Sequence, residues 1–366
     1  MRIGVVAESA PGERRVALTP RACGQLIAAG HSCLVEHGAG ERGGFTDAAY
    51  AEAGCTLDAR HAVMAAADLL VHVAVPEPSL IDALPSGRSF ISLIYPRRNP
   101  DVVSHLARRS ISACAMDCMP RISRAQSMDV LSSQNNLAGY KAVIVAADAA
   151  PKLFPLLMTA AGTVTPARVL IYGAGVAGLQ AIATARRLGA IVEVSDVRPE
   201  TREQVESLGA SFIMVEGMER VAVEGGYVAS IGEDVLARQR EAVDQRLMQA
   251  DVVITTALVQ GGKAPVLIDA DQVSRMKNGA VIVDMATAAG GNCALSQPDA
   301  TVVHHGVTII GANDLAASVP ANASELYAKN VTTFLAHAAT TEGMKFDLDD
   351  EIISATLVTH NGTTRS

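Results

Sequence analysis

Tryptophan is absent from this sequence, and aromatic residues as a whole make up only 3% of it. The chain also has no excess of lysine and arginine, since its formal net charge is -8. Proteins that bind nucleic acid commonly combine a basic surface with aromatic side chains that stack on bases. The composition therefore indicates no nucleic-acid partner.

Long apolar runs are missing too, although 49% of the 366 residues are hydrophobic. A membrane-spanning helix needs about 20 apolar residues in succession. The longest candidate, Ala138 to Val164, is interrupted by Asp148, Pro151, Lys152 and Pro155. The first residues, MRIGVVAESAPGERR, lack the apolar segment of an export signal. We expect a cytoplasmic chain without a membrane span of its own.

The cysteines form neither CxxC pairs nor the Cys/His spacing of a zinc site. There are six of them, Cys23, Cys33, Cys55, Cys114, Cys118 and Cys293. Their distribution favours reduced and mostly buried thiols, and it predicts no metal centre.

Strand-like and helix-like segments alternate along most of the chain. RIGVVAE, SCLVEHG, DLLVHVAV and SFISLIY are strand patterns, and TPRACGQLIAAGH is a helix pattern with Thr19 as N-cap and Pro20 at the first position. A second series runs from ARVLIYGAG through IVEVSDV and DVVITTAL to AVIVDMA. This alternation predicts an α/β fold with two Rossmann-like, doubly wound parallel sheets.

The length of the chain suits two domains. We assign residues 1–136 with 315–366 to a first Rossmann-like domain, and residues 137–314 to a second, nucleotide-binding domain. The helix-like segment Leu137 to Ala161 is interpreted as a long connecting helix. The pattern SELYAKNVTTFLAHAA near the C-terminus predicts a helix that packs back on the first domain.

Two GxGxxG matches occur, and their surroundings differ. The match at residues 38–44 runs into GFTD before any helix begins, which favours an ordinary glycine-rich loop. Gly173, Gly175 and Gly178 lie between a strand pattern and a helix pattern, and the next strand ends in Asp196. This spacing is typical of a dinucleotide site with the pyrophosphate at the helix N-terminus.

Asp196 occupies the position at which an acid binds the adenosine ribose. Its charge disfavours a 2′-phosphate, so we predict NAD(H), although Arg198 and Arg202 nearby could favour NADP(H). A module that binds NAD without turnover stays open as an alternative.

A polar cluster precedes the connecting helix, in RISRAQSMDVLSSQNNLAGYKAV. Arg121 could contact phosphate or an amide oxygen, and Ser132 adds a hydroxyl. Gln126 and Asp129 could hold a ribose or the nicotinamide carboxamide. A second interpretation is that Gln126 and Asp129 cap the helix that follows.

This stretch, with VLIYGAGVAGLQAIATARRLGA and DVRPETREQVESLGASF, resembles the NAD(H)-binding component of proton-translocating NAD(P) transhydrogenases. The resemblance covers essentially the whole chain. It implies that the loop with Arg121, Gln126, Asp129 and Ser132 reaches over the nicotinamide and holds it near NADP(H) on another subunit. Hydride would then pass directly between two nicotinamides, without a catalytic histidine or cysteine.

The resemblance also implies contacts along the rest of the nucleotide. They are Gly173, Ala174, Gly175, Val176 and Gly178 at the pyrophosphate, Asp196, Val197 and Arg198 at the adenosine, and Thr256, Ala257 and Leu258 at a strand end. Gly226 and Tyr227 match a mobile loop that closes over the site, and Gln239 lies on the helix that follows.

By the same resemblance, the partners are a membrane-spanning transhydrogenase subunit and an NADP(H)-binding beta subunit. They would hold a homodimer of this chain at the inner face of the cell membrane. The reaction would be NADH + NADP+ to NAD+ + NADPH, linked to inward proton movement.

Alanine dehydrogenase is a related alternative, because it shares ERRVALTP with Arg15. Its imine chemistry needs acid and base groups, which in that family are a lysine, a histidine and an aspartate. Here Ala74, Tyr95 and Ala288 stand at or near those positions, and Arg15 is expected to form a salt bridge or a helix cap. The chain departs from both families at residues 314–316, Asp-Leu-Ala, where an Asn-apolar-Pro run is usual.

Overall fold

The chain divides into two compact units in a computed structural model. The first contains Met1–Gln134 and Ala316–Ser366, and the second contains Asn135–Leu315. The structure describes residues 1–217, 222–224, 227–230, 233–258 and 262–365, with side chains throughout except at 222–233 and 236.

Strands and helices alternate in the N-terminal part of the first unit. They are β1 (Arg2–Val5), α1 (Pro20–Ala28), β2 (Ser32–Glu36), α2 (Asp47–Glu52), β3 (Thr56–Asp58), α3 (Arg60–Ala66), β4 (Leu69–Val71), α4 (Pro78–Ala83), β5 (Ser89–Ser92), α5 (Pro100–Arg108) and β6 (Ser112–Ala115). Helix α1 begins as predicted, since the Thr19 side chain accepts a hydrogen bond from the amide of Ala22 and Pro20 is the first helical residue.

The connecting helix, α6 (Val130–Ala149), begins and ends earlier than predicted. The expectation of one helix from Leu137 to Ala161 is wrong beyond Ala149. Pro151 and Pro155 lack the N–H that a continuing helix needs, and their rings clash with the preceding turn. The chain instead forms a hairpin of two short strands, β7 (Leu157–Thr159) and β8 (Gly162–Val164).

The rest of the second unit again alternates strands and helices. These elements are β9 (Arg168–Tyr172), α7 (Val176–Arg187), β10 (Ile191–Ser195), α8 (Arg202–Ser207), β11 (Ser211–Phe212), β12 (Ala222–Glu224), β13 (Tyr227–Ser230), α9 (Glu233–Leu247), β14 (Val252–Thr255), α10 (Ala270–Arg275), β15 (Val281–Asp284), β16 (Thr301–His304) and β17 (Val307–Gly311).

The C-terminal residues return to the first unit. They form α11 (Pro320–Ala338), α12 (Glu351–Thr356), β18 (Leu357–His360) and β19 (Thr363–Thr364). Helix α11 buries Tyr327, Val331 and Phe334 in the core of that unit, and β18 pairs antiparallel to β6.

Each unit has one large sheet. Within the described residues, one sheet has eight strands in the order β19-β18-β6-β5-β4-β1-β2-β3, and the other has seven in the order β11-β10-β9-β14-β15-β17-β16. In both, the strand order reverses direction beside the first strand, between β1 and β4 and between β9 and β14. Ligands of such sheets bind at this switch point, outside the carboxyl ends of the strands. The predicted pair of Rossmann-like sheets is confirmed.

The switch point of the first sheet contains a buried pair of ionisable side chains. Glu8 follows β1 and His72 follows β4, and Oε2 of Glu8 lies 3.1 Å from Nε2 of His72. Burial raises the pKa of Glu8 to about 8 and lowers the pKa of His72 to about 4. Nδ1 of His72 lies 3.0 Å from the carbonyl oxygen of Ala74, and Nε2 makes no N–H···O hydrogen bond, as expected of an unprotonated nitrogen. The pair is therefore a carboxylic acid beside a neutral imidazole at pH 7.

Arg15 makes the expected salt bridge close to this pair in sequence and topology. Its Nη2 donates to Oε2 of Glu13 at 2.6 Å, and its Nη1 donates to Oε1 of Gln134 at 2.8 Å. All three side chains are buried. The guanidinium thus serves the interior of the first unit.

Glu8→Gln is expected to remove one pH dependence of folding stability. The unfolded chain releases the Glu8 proton near pH 4.5 and the folded chain near pH 8, so the stability that this proton contributes falls as pH rises between those values. From pH 7 to pH 8, where His72 is neutral in both states, the loss should reach about 1 kcal/mol.

Denaturant unfolding at pH 7 and pH 8 measures this slope. The exposed Glu77→Gln provides the matched control and should keep the slope of the parent chain. An unchanged slope in Glu8→Gln would show that Glu8 is already ionised at pH 7.

Candidate functional site

A tight turn joins the end of β9 to the N-terminus of α7. Gly173 has a φ of +98°, which lies in the region that favours glycine. A Cβ added to Gly178 would collide with the carbonyl oxygen of Gly173, so only glycine allows the helix to approach the strand this closely. The amide of Ala174, in the turn, donates to Oδ2 of Asp196 at 2.6 Å.

The N-terminus of α7 has no side-chain cap. Gly175 is the N-cap residue, and a Cβ added there would meet no atom within 4 Å. The first N–H groups of a helix carry partial positive charge and need acceptors. The open space and the uncapped N–H groups together fit a pyrophosphate.

Asp196 is buried at the end of β10 and is fully engaged with neighbouring donors. Its Oδ1 accepts from the amide and Nε of Arg198 at 2.8 and 3.0 Å, and its Oδ2 accepts from Nη2 of Arg198 at 2.9 Å besides the amide of Ala174. Arg202 instead pairs with Glu206. A ribose hydroxyl would therefore have to replace a hydrogen bond that Arg198 makes.

Three exposed apolar side chains lie at the carboxyl edge of the second sheet. Val176 follows β9, Val197 follows β10 and Leu258 follows β14, and they are 40%, 52% and 51% exposed. The three strands are neighbours in the order β10-β9-β14. Exposed apolar side chains beside polar groups at a switch point are typical of a ligand site.

The segment after β14 is held by a network that the sequence analysis missed. The hydroxyl of Thr256 donates to the carbonyl oxygen of Tyr172, and the Asn292 side chain both accepts from the amide of Ala257 and donates to its carbonyl oxygen. Asp284, fully buried, accepts from the amide of Asn292 at 2.8 Å. The acid at the end of the apolar run AVIVD was the available signal.

Gln239 carries an unsatisfied buried atom. It lies on α9, and its Nε2 donates to the carbonyl oxygen of Ile213 at 3.0 Å. Its Oε1 has no hydrogen-bond donor among the described residues. A buried acceptor without a donor is costly, so a donor from a ligand would stabilise it. Tyr227 begins β13, but its side chain and all of Gly226 lie outside the described part of the chain.

In the first unit, Asp129 caps α6. Its Oδ1 accepts from the amide of Ser132 at 2.9 Å, and its Oδ2 accepts from the Ser132 hydroxyl at 2.6 Å. The capping interpretation therefore holds for Asp129. It does not hold for Gln126, which is exposed on the 3-10 helix Ser123–Met128 and makes no side-chain hydrogen bond to a described residue.

The segment that carries Gln126 is anchored to α11. Nδ2 of Asn330 donates to the carbonyl oxygen of Ser127 at 2.8 Å, and the hydroxyl of Ser133 donates to Oδ1 of Asn330 at 2.7 Å. Arg121, before this helix, is exposed as well. A guanidinium and an amide can hold polar groups of a ligand, but neither acts as an acid or base near neutral pH.

Two family descriptions match nearly the whole chain. Residues 4–138 match "Alanine dehydrogenase/PNT, N-terminal domain" and residues 142–366 match "Alanine dehydrogenase/PNT, C-terminal domain". The chain belongs to the alanine dehydrogenase/PNT family.

Within this family, the chain is most informatively compared with transhydrogenases. It is 46% identical over 372 residues to an NAD(P) transhydrogenase subunit alpha protein of Rhodospirillum rubrum, covering 99% of this chain and 97% of that relative. The crystal structure of transhydrogenase from Sinorhizobium meliloti matches with a TM-score of 0.92 and 40% identity, over 100% of both chains. Alanine dehydrogenase 2 of Staphylococcus aureus (strain USA300) is 29% identical over 340 residues, covering 91% of this chain and 85% of that relative. The resemblance to transhydrogenase alpha subunits is confirmed.

Two glycine substitutions should separate ligand contact from folding. Gly175→Ala should preserve the melting temperature, because its new Cβ meets no atom, yet weaken NADH binding at least about tenfold by filling the space for the pyrophosphate. Gly178→Ala should weaken binding and also lower stability by about 1–3 kcal/mol through overpacking. Fluorescence titration with NADH and thermal unfolding measure both effects. Equal NADH affinity in Gly175→Ala and the parent chain would exclude this turn as the pyrophosphate site.

Proposed function

We propose that this chain is the NAD(H)-binding subunit of a proton-translocating NAD(P) transhydrogenase. The uncapped N-terminus of α7 beside open space carries the proposal, because it offers N–H donors to a pyrophosphate. The 46% identity to a transhydrogenase alpha subunit over nearly the whole chain narrows the reaction class.

The adenosine end of NAD(H) would lie against Asp196, Val197 and Arg198. A ribose hydroxyl would take over an acceptor site on Asp196 that Arg198 uses, while the exposed Val197 side chain would pack on the adenine. The backbone of Ala174 and Val176 would donate to the pyrophosphate. Because Arg198 partly neutralises Asp196, it is the first residue to test for discrimination against NADP(H).

The nicotinamide end would be held by two sets of residues. Thr256, Ala257 and Leu258 follow β14, and the unsatisfied Oε1 of Gln239 would accept a hydrogen bond from the ligand. Tyr227 and Gly226 are proposed to belong to a loop that closes over the bound nucleotide.

The loop of the first unit would orient the nicotinamide ring. Gln126 offers both a donor and an acceptor, which match the carboxamide, and Arg121 adds a guanidinium. Asp129 and Ser132 hold the start of α6 through their mutual hydrogen bonds and keep lone pairs for a ribose hydroxyl.

When bound, NADH supplies a hydride from C4 of its nicotinamide, and NADP+ on a partner subunit accepts it. The residues of this chain then need only orient one ring and exclude water. No proton is transferred between the two rings, so the exposed amide and guanidinium of Gln126 and Arg121 suffice.

Reductive amination of pyruvate is the rival reaction, and the chain lacks side chains for it. Ala74 and Ala288 carry no acid or base, and Tyr95 stands near the expected histidine. Arg15, which the two groups share, is buried and donates to Glu13 and Gln134. It is therefore engaged within the first unit instead of facing a substrate carboxylate.

The partners would supply a membrane span and the NADP(H) site. None of the helices in the described residues is long and apolar enough to cross a membrane. We infer that a membrane-spanning subunit and an NADP(H)-binding beta subunit hold this chain at the inner face of the cell membrane and couple the reaction to proton movement.

The β7–β8 hairpin supports a homodimer. Its apolar side chains face solvent, and Met158 is 75% exposed, with Leu156, Leu157 and Val164 exposed beside it. A contiguous apolar patch of this kind is typical of an interaction surface. We infer that a second copy of the chain covers it.

Gln126→Asn should separate positioning from binding. A shortened side chain at an exposed position costs no packing, but displacing the carboxamide by about 1 Å should slow hydride transfer roughly 100-fold. The NADH affinity should stay within about threefold, since the pyrophosphate and adenosine contacts remain. Asp196→Ala should instead weaken NADH binding at least about tenfold.

Single-turnover transfer from NADH to an NADP+ analogue on a transhydrogenase NADP(H)-binding component measures the rate. Ser127→Ala, exposed on the same 3-10 helix, is the matched control. The reverse pattern in the two variants would contradict the division of roles. Turnover of pyruvate with ammonium would favour alanine dehydrogenase, and binding without any transfer would favour a non-catalytic module.

Met158→Glu should convert the dimer into a monomer, because a carboxylate cannot be buried unpaired in an apolar interface. Size-exclusion chromatography with light scattering gives the mass. Val303→Glu is the matched control, since Val303 is an equally exposed apolar residue on β16 of the same unit. A dimer that persists in Met158→Glu places the interface elsewhere.

A further inference from the structure

Three of the six cysteines meet on one face of the first sheet. Cys23 lies on α1, Cys33 on β2, and Cys55 immediately before β3. Strands β2 and β3 are parallel with Leu34 opposite Thr56, so the preceding residues, Cys33 and Cys55, stand side by side. Cys23 and Cys33 belong to one core, and Cys55 packs against it.

The three side chains contact one another through their sulfur atoms. The thiol of Cys33 donates to the carbonyl oxygen of Cys23 at 3.7 Å. The side chain of Cys55 hydrogen-bonds with those of Cys23 and Cys33. Within the described part of the chain, no group of cysteine, histidine and acidic side chains has the arrangement of a metal site. The cluster therefore favours chemistry between thiols.

The environment of the cluster distinguishes one sulfur from the others. Cys23 and Cys33 are buried, whereas Cys55 is half-buried and can be reached from solvent. Hydrogen bonds from Cys23 and Cys33 favour a thiolate on Cys55 and lower its pKa well below the ordinary value. Burial instead raises the pKa of Cys114 and of Cys118 to about 12. Thiolate character and access are the properties of a reactive cysteine.

We propose that Cys55 is a peroxide-reactive cysteine and that Cys33 resolves its oxidised form into an intramolecular disulfide. The distance between neighbouring strands, about 4.8 Å, lies within the range of about 4.4–6.8 Å that disulfides span between Cα atoms. Cys23 contributes a hydrogen bond to the Cys55 sulfur. This site lies outside the proposed nucleotide-binding residues.

The reaction proceeds in two steps. The Cys55 thiolate attacks one oxygen of hydrogen peroxide, the O–O bond breaks, and a sulfenic acid forms while the departing hydroxide takes up a proton as water. The Cys33 sulfur then attacks the Cys55 sulfur, the S–OH bond breaks, and the hydroxide leaves as water with the proton of the Cys33 thiol. Two thiols are oxidised to one disulfide, and one peroxide is reduced to two waters.

The first test uses the full chain without substitutions. After limited treatment with hydrogen peroxide, denaturation and alkylation, mass spectrometry should show loss of two hydrogen atoms and a cross-linked Cys33–Cys55 peptide. Cys114, Cys118 and Cys293 should remain alkylated, and dithiothreitol should restore the mass. An intermolecular disulfide, or one formed by Cys23, Cys114 or Cys118, overturns the assignment.

Iodoacetamide labelling provides a measurement that needs no variant. At pH 6 the native chain should label at Cys55 at least about tenfold faster than at Cys118, because only the thiolate reacts and both side chains are half-buried. Equal rates, or faster labelling of Cys118, contradict the proposal.

Variants separate the two roles. Cys33→Ser should leave a sulfenic acid on Cys55 that dimedone traps, and Cys55→Ser should form neither adduct nor disulfide. Cys118→Ser is the matched control and should behave as the parent chain. Absence of a dimedone adduct in Cys33→Ser, in protein whose circular dichroism matches the parent, removes Cys55 as the site of attack.

Discussion

The close approach of α7 to the end of β9 is the constraint on which the second unit depends. Helix and strand can lie this close only because a side chain on Gly178 would collide with the carbonyl oxygen of Gly173. Helix α6 packs as tightly from its own side, since a Cβ on Gly139 would collide with the carbonyl oxygen of Ala177. The uncapped helix N-terminus, the Ala174–Asp196 hydrogen bond and the exposed apolar edge all follow from this packing.

The two sheets have the same strand order around their first strand but use the switch point differently. In the first sheet, Glu8 and His72 fill it, and both are kept neutral because burial disfavours their charged forms. In the second, Val176 and Leu258 remain exposed beside donors that have no side-chain cap. An arrangement closed by its own side chains stabilises the fold, whereas an open one can take a ligand.

Local sequence patterns predicted most of the fold. The alternation of strand and helix patterns depends on neighbours in sequence, as does the start of α1 at Pro20. The same logic failed beyond Ala149, where apolar composition was given more weight than Pro151 and Pro155. It also missed β18, because a strand that joins the sheet antiparallel to β6 has its partner far away in the chain. Asp129 shows the limit for site residues, since one spacing fits both a helix cap and a ligand contact.

By itself, the sequence determined the α/β class, the GxGxxG turn with its strand-end Asp196, and the family, because each is written in the spacing of nearby residues. Only the tertiary structure decided that Arg198 engages Asp196, that Gln239 has a buried oxygen without a donor, and that Cys23, Cys33 and Cys55 meet. Those outcomes depend on strand register, on helix packing and on the side-chain geometry that packing selects. No local pattern contains that information.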